Sequence, residues 1–110
     1  MELSFEFAVD IINFTESLEE QRKYVIARQL LRSCTSIGAN VRESQNFESR
    51  ADFVHKLKIA AKEADETEYW LLLCQHSAGY PFNADLITRL ISIKKLLSSI
   101  ISKMKSQINT

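Results

Sequence analysis

Arg32-Ser33-Cys34-Thr35-Ser36-Ile37-Gly38-Ala39-Asn40-Val41-Arg42-Glu43 is smaller and more polar than an ordinary core helix, yet the chain on either side of it reads as one helix after another. Ser33, Ser36, Asn40 and Glu43 recur at i, i+3, i+7 and i+10, so a helix places them on one face. Gly38 sits mid-pattern, where glycine costs about 1 kcal/mol relative to alanine. That cost points to close approach of another backbone. A small polar face flanked by Leu30, Ile37 and Val41 is either a tight helix contact or a site.

Outward from this stretch, apolar spacing predicts helices over about 4–18, 24–46, 50–77 and 84–106, within one domain spanning 1–110. In the first, Phe7, Ile11, Phe14 and Leu18 form the stripe and Phe5, Ala8 and Ile12 widen it; Glu19 to Lys23 read as the turn. Val25, Ile26, Leu30, Ile37 and Val41 supply the apolar side of the second. Ser49 is placed to cap the third, with Asp52 completing a capping-box variant. Phe53, Leu57, Ala60, Ala64, Thr67, Leu71 and Cys74 then follow in steps of three and four, the pattern of a bundle seam. Gly79 stops that helix, and Asn83 caps the fourth. Residues Ser106 to Thr110 are expected to fray.

Short connections predict an antiparallel up-down-up-down four-helix bundle of the all-α class. Pairing the second and third helices about Phe47-Glu48 brings Ser36 near Ala60, Ser33 near Glu63 and Ala64, and Arg28 near Glu66 and Glu68. Small residues Ser33, Ser36, Gly38 and Ala39 would then meet Ala60, Ala61 and Ala64. Arg28 and Arg32 come within reach of the acidic run Glu63 to Glu68, in ion pairs better suited to fixing register than to adding stability.

Composition agrees. The 110 residues include only two glycines and one proline, too little turn punctuation for a sheet protein. Fourteen basic and fourteen acidic residues balance, so no global charge argues for nucleic acid or membrane. The charge is nevertheless segregated: residues 1–20 carry six acids and no base, 21–42 five bases and no acid, and 86–110 five bases and no acid. Such segregation is satisfied inside the bundle, between subunits, or by nucleic acid. Cys34 and Cys74 have no metal-ligand spacing and read as packed free thiols of a cytoplasmic protein. No apolar run approaches the roughly 18 residues that span a bilayer.

From Gln29 to Val41 the chain resembles the "QLLRSxTSIGANV" signature of the 23S ribosomal RNA intervening-sequence proteins, a four-helix-bundle family. The resemblance continues through Glu43-Ser44-Gln45, Ser49, Asp52-Phe53, Lys56-Leu57, Ile59-Ala60 and Lys62-Glu63-Ala64, and closes with Glu66-Thr67-Glu68-Tyr69-Trp70-Leu71. It implies a closed bundle that assembles into a barrel-like homopentamer, with no established catalytic activity. Many genes of that family lie within intervening sequences of 23S ribosomal RNA genes. A related branch, the accessory variability proteins of diversity-generating retroelements, binds a reverse transcriptase and nucleic acid through a basic surface. This chain departs from that branch in its zero net charge, and it reads Arg42-Glu43-Ser44 where many relatives have Ala-Glu-Gly or Glu-Glu-Ala.

Arg32, Ser33, Ser36, Asn40, Glu43 and Glu66 form the signature, expected to serve helix packing and internal hydrogen bonds. Arg22, Lys23, Arg42, Arg50, Lys56, Lys58 and Lys62 are the candidates for contacting RNA or DNA phosphates, against the reading of solvated helix faces. Glu43, Glu63, Glu66 and Glu68 would need paired Glu-x-x-His motifs to hold metal; only Asp52 precedes a histidine by three, at His55, while Leu73 stands three before His76. No catalytic, cofactor-binding or metal-ligating residue is therefore assigned. Of the adjacent Tyr69 and Trp70, one is expected in the core and the other at a subunit interface.

The expectation is a non-enzymatic, cytoplasmic homo-oligomer acting as a scaffold or adaptor. Its partners would be its own copies, RNA or DNA bound weakly, or a nucleic-acid enzyme such as a reverse transcriptase; no membrane is expected. The rival is a ligand-binding or enzymatic bundle using the Ser36/Asn40/Glu43 face. Whether that face is open or sealed separates the two.

Overall fold

Four helices, α1 (Glu2–Glu20), α2 (Tyr24–Ser44), α3 (Arg50–His76) and α4 (Ala84–Ile108), make up the computed structural model, which describes residues 2–108. No strand occurs among the described residues. The result is a four-helix bundle measuring 51 × 21 × 20 Å. α2 packs most extensively on α3, α3 on α4 and α1 on α2, while α1 and α4 touch least.

Helix ends follow local chemistry. Glu19 and Glu20 remain helical, and α1 closes one residue later in a Schellman motif. Lys23 N–H donates to Leu18 O at 2.8 Å, and Arg22 N–H to Glu19 O at 2.9 Å. Arg22 adopts φ +62°, the left-handed conformation usually given to glycine. Ser49 Oγ accepts from Asp52 N–H at 3.0 Å, and Asp52 returns the favour to Glu48 N–H at 3.3 Å. Asn83 Oδ1 caps α4 through Asp85 N–H at 3.0 Å. α4 continues helical through Ser106 to Ile108, where fraying was expected; residues 109–110 lie outside the described residues.

The core is a single cluster drawn from all four helices, with Ile11, Leu30, Ala60 and Leu90 each fully shielded. Each fully buried leucine or isoleucine contributes about 1.5–3 kcal/mol over its exposed state. The α3 seam falls as its spacing predicts, with Phe53 alone only half-buried. Three residues expected to widen apolar faces point outward instead: Phe5 is 69 % exposed, Ile12 42 % and Val25 77 %. Each lies off the center of its helix's core stripe, so the bundle closes without it.

The contacts of α2 with α3 sit up to one turn further along α3 than simple pairing about the turn suggests. Ser33 is bonded by Thr67, within one turn of the expected pairing. Every Cα–Cβ bond tilts toward its own helix N-terminus, which displaces facing side chains in this sense.

Candidate functional site

The signature face of α2 is engaged in three layers, the first and last of which reach α3. Ser33 is fully buried; its Oγ donates to Leu30 O at 3.2 Å and accepts from Thr67 Oγ1 at 2.8 Å. Thr67 Oγ1 also lies 2.8 Å from Glu63 O, so its single proton has two acceptors available. One turn on, Asn40 Nδ2 donates to Ser36 O at 2.9 Å and to Ser36 Oγ at 3.2 Å. Glu43 is exposed and pairs with Lys56 Nζ at 3.2 Å. Ser44, outside the expected signature, is also fully buried, its hydroxyl returned to Val41 O at 2.6 Å.

Arg32 is the electrostatic element. Its Nη1 lies 2.9 Å from Glu63 Oε2, and its Nη2 pairs with Glu66. Burial alone would raise the Glu63 carboxyl, but hydrogen bonds from Arg32 and Ser36, with Glu66 adjoining, hold it below the ordinary carboxylate range. The same hydrogen bonds, Glu63 first and Glu66 second, make Arg32 harder to deprotonate.

Arg28 does not reach Glu66 or Glu68; it is exposed and has no ion pair within 4 Å among the described residues. Lys94 of α4 takes the other half of the acidic run, 2.9 Å from Asp65 and 2.9 Å from Glu68. Hydrogen bonding to Asp65 first, and to Glu68, raises the Lys94 pKa against the opposing effect of burial. Two residues advance a helix by about 200°. Glu63 and Glu66 thus face α2, while Asp65 and Glu68 face α4. That alternation was available in the sequence and identifies Lys94 as the missed partner.

Gly38 does not serve close approach to α3. A Cβ built on it would meet nothing within 4 Å. Gly38 and Ala39 instead line a groove of about 510 Å³ between α1 and α2, bordered by Phe5, Ala8 and Arg42. Ser36, Asn40 and Glu43 are not among the residues lining it. Ser36 and Asn40 are half-buried; Ser36 bonds Glu63 of α3, while Asn40 bonds Ser36 within α2.

The basic candidates do not form one patch. Arg22 and Lys23 lie in the α1–α2 turn, with Lys23 Nζ 4.6 Å above the Tyr80 ring. Arg42 and Arg50 lie at the other end of α2, a helix of 21 residues and so about 30 Å long. Lys56 is paired with Glu43, while Lys58 and Lys62 are exposed along α3.

Trp70 packs half-buried against the core, and its Nε1–H is buried without a hydrogen-bond partner among the described residues. Tyr69 is 56 % exposed and meets Trp70 edge-on at 5.1 Å. Cys34 and Cys74 are free and buried, which pushes their thiols up to about 12 and about 11. Among the described residues no group of three or more His, Cys, Asp or Glu could hold a metal ion, and no helix is long and apolar enough to cross a membrane.

Residues 1–102 match the family described as 23S rRNA-intervening sequence protein. The chain is also similar to a crystal structure of a protein of unknown function, from the S23 ribosomal protein family of Bacteroides thetaiotaomicron VPI-5482. The two are 48 % identical with a TM-score of 0.84, over 91 % of this chain and 95 % of that one. Comparison with curated proteins gives no match.

Proposed function

The chain belongs to the 23S rRNA-intervening sequence protein family, and from that premise we propose that it is a non-enzymatic, homo-oligomeric scaffold or adaptor of the cytoplasm. Its helices run in antiparallel up-down-up-down order, and it assembles as a homopentamer, the state the family resemblance implies. RNA, DNA or a nucleic-acid enzyme such as a reverse transcriptase binds weakly at most.

The observation that carries this reading is how the signature residues are engaged. Ser33, Ser36, Asn40, Arg32 and Glu66 direct their polar atoms into bonds within α2 or onto α3. A face so engaged fixes helix register and offers little to a substrate. The antiparallel order is supported by the pairs themselves: from Arg32 to Glu43 along α2, the α3 partner retreats from Glu63 to Lys56. Oligomerisation is supported by large apolar side chains left in water, Phe5 and Val25 foremost. Weak nucleic-acid binding is supported by the dispersal of the basic candidates over both ends of the bundle.

Light scattering tests the assembly: at micromolar concentration the expected mass is five times the 12.6 kDa of one chain, and a monomer mass refutes it. RNA binding is expected to be weak and lost as salt rises. Tight, salt-insensitive binding would contradict the reading.

A further inference from the structure

The charge segregation of the sequence is not neutralised inside the bundle. Of the six α1 carboxylates only Asp10 has an ion-pair partner among the described residues, Arg89 at 2.6 Å. Glu2, Glu6, Glu16, Glu19 and Glu20 are exposed, with no ion pair among the described residues. On α4, Arg89 and Lys94 are paired, while Lys95, Lys103 and Lys105 are exposed and have no ion pair among the described residues.

Each of these helices turns a matching stripe outward. On α1, Glu2, Phe5, Val9, Ile12 and Glu16 follow steps of three and four, with Phe5 69 %, Val9 43 % and Ile12 42 % exposed. Its first two members, Glu2 and Phe5, border the α1–α2 groove, where Gly38 leaves room that no described residue fills. On α4, Ile91, Lys95, Ser98, Ser102 and Lys105 take the same steps, all exposed, with no acid anywhere on that helix beyond Asp85. One stripe carries large apolar groups between carboxylates, and the other carries small hydroxyls between ammonium groups.

We propose that the outer face of α1, with the groove beside it, receives the outer face of α4 from a second copy of this chain. The assignment rests on the homo-oligomeric reading and adds to it which surfaces meet. Charge complementarity selects the occupant: a face flanked by unpaired carboxylates favors a basic helix and repels another α1. The serines let the two helices approach closely over Phe5, Val9 and Ile12. Because the two surfaces differ, the contact is heterologous, and each copy has one of each to offer.

The test is disulfide crosslinking of the Val9→Cys/Ser98→Cys double variant. These positions are central in their stripes, so they meet whichever way the helices cross. Both are exposed, and native helicity by circular dichroism confirms that the variants fold. The buried Cys34 and Cys74 are shielded from the oxidant. The expected result is a ladder reaching trimer and beyond on non-reducing gels, with neither single-cysteine variant crosslinking. If the protein is oligomeric by light scattering but the double variant does not crosslink, or a single variant does, the face assignment is overturned and the homo-oligomeric reading stands. A monomer mass overturns both.

Discussion

Thr67 Oγ1 lies 2.8 Å from Ser33 Oγ, joining α3 to α2 by a hydrogen bond between two hydroxyls that are both fully out of water. Replacing Ser33 with alanine removes the acceptor, but Thr67 keeps Glu63 O as an alternative. The expected loss in urea unfolding is therefore only about 1 kcal/mol. Ser33→Leu forces bulk between α2 and α3 and is expected to lose about 3 kcal/mol.

Arg32→Ala is expected to lower stability by about 0.5–1 kcal/mol at neutral pH, the modest value fitting a half-exposed guanidinium. The loss is pH-dependent with a definite sign. Glu63 is held below the ordinary carboxylate range in the folded state. Its contribution is complete above the unfolded value, about 4.3, and disappears as pH falls through the lower folded value. Urea titrations of both proteins should converge as pH falls through the lowered folded-state value of Glu63.

Arg22→Gly is expected to stabilise the chain by about 0.5–1 kcal/mol. The arginine occupies a left-handed position that the Schellman turn requires and that glycine adopts without strain. Arg22→Val should move the thermal midpoint down, since a branched side chain fits that conformation worse.

At a dilution where the protein is monomeric, Gly38→Ala should raise stability by up to about 1 kcal/mol, because the added methyl meets nothing within 4 Å among the described residues and the helix gains propensity. In the assembled protein the same methyl enters the groove that receives α4, and the thermal midpoint should drop. A fall in the thermal midpoint would show that the groove is filled when the protein is in solution.

Native protein at pH 8 should react slowly with a thiol reagent, since burial pushes Cys34 to about 12 and Cys74 to about 11. In urea, both thiols of each chain should react at once.

The bundle was legible because helical spacing needs only the chain's own order. The α3 seam and the caps at Ser49 and Asn83 follow directly from it. The α2–α3 ion pairing was half legible: Arg32 finds Glu63 and Glu66, whereas Lys94 rather than Arg28 takes Glu68. Sequence proximity in a hairpin favors α2 as the partner of every α3 acid, and only the rotation between neighboring residues assigns two of them to α4. Gly38 misled for a different reason. A glycine says that space is required, and nothing local says on which side of the helix. Phe5, Ile12 and Val25 were absorbed into apolar stripes because hydropathy alone does not say whether the surface that covers a residue belongs to the same chain.

Trp70 is the chain's single tryptophan, and its indole N–H is enclosed without a partner among the described residues while its ring meets the exposed Tyr69. Indole fluorescence responds to hydrogen bonding at that nitrogen and to the polarity around the ring. The protein thus carries one optical reporter, seated midway between its interior and the outside of α3. Any event that opens α3, or brings a hydrogen-bond acceptor to that spot, will register as a color change in emission without a label being attached.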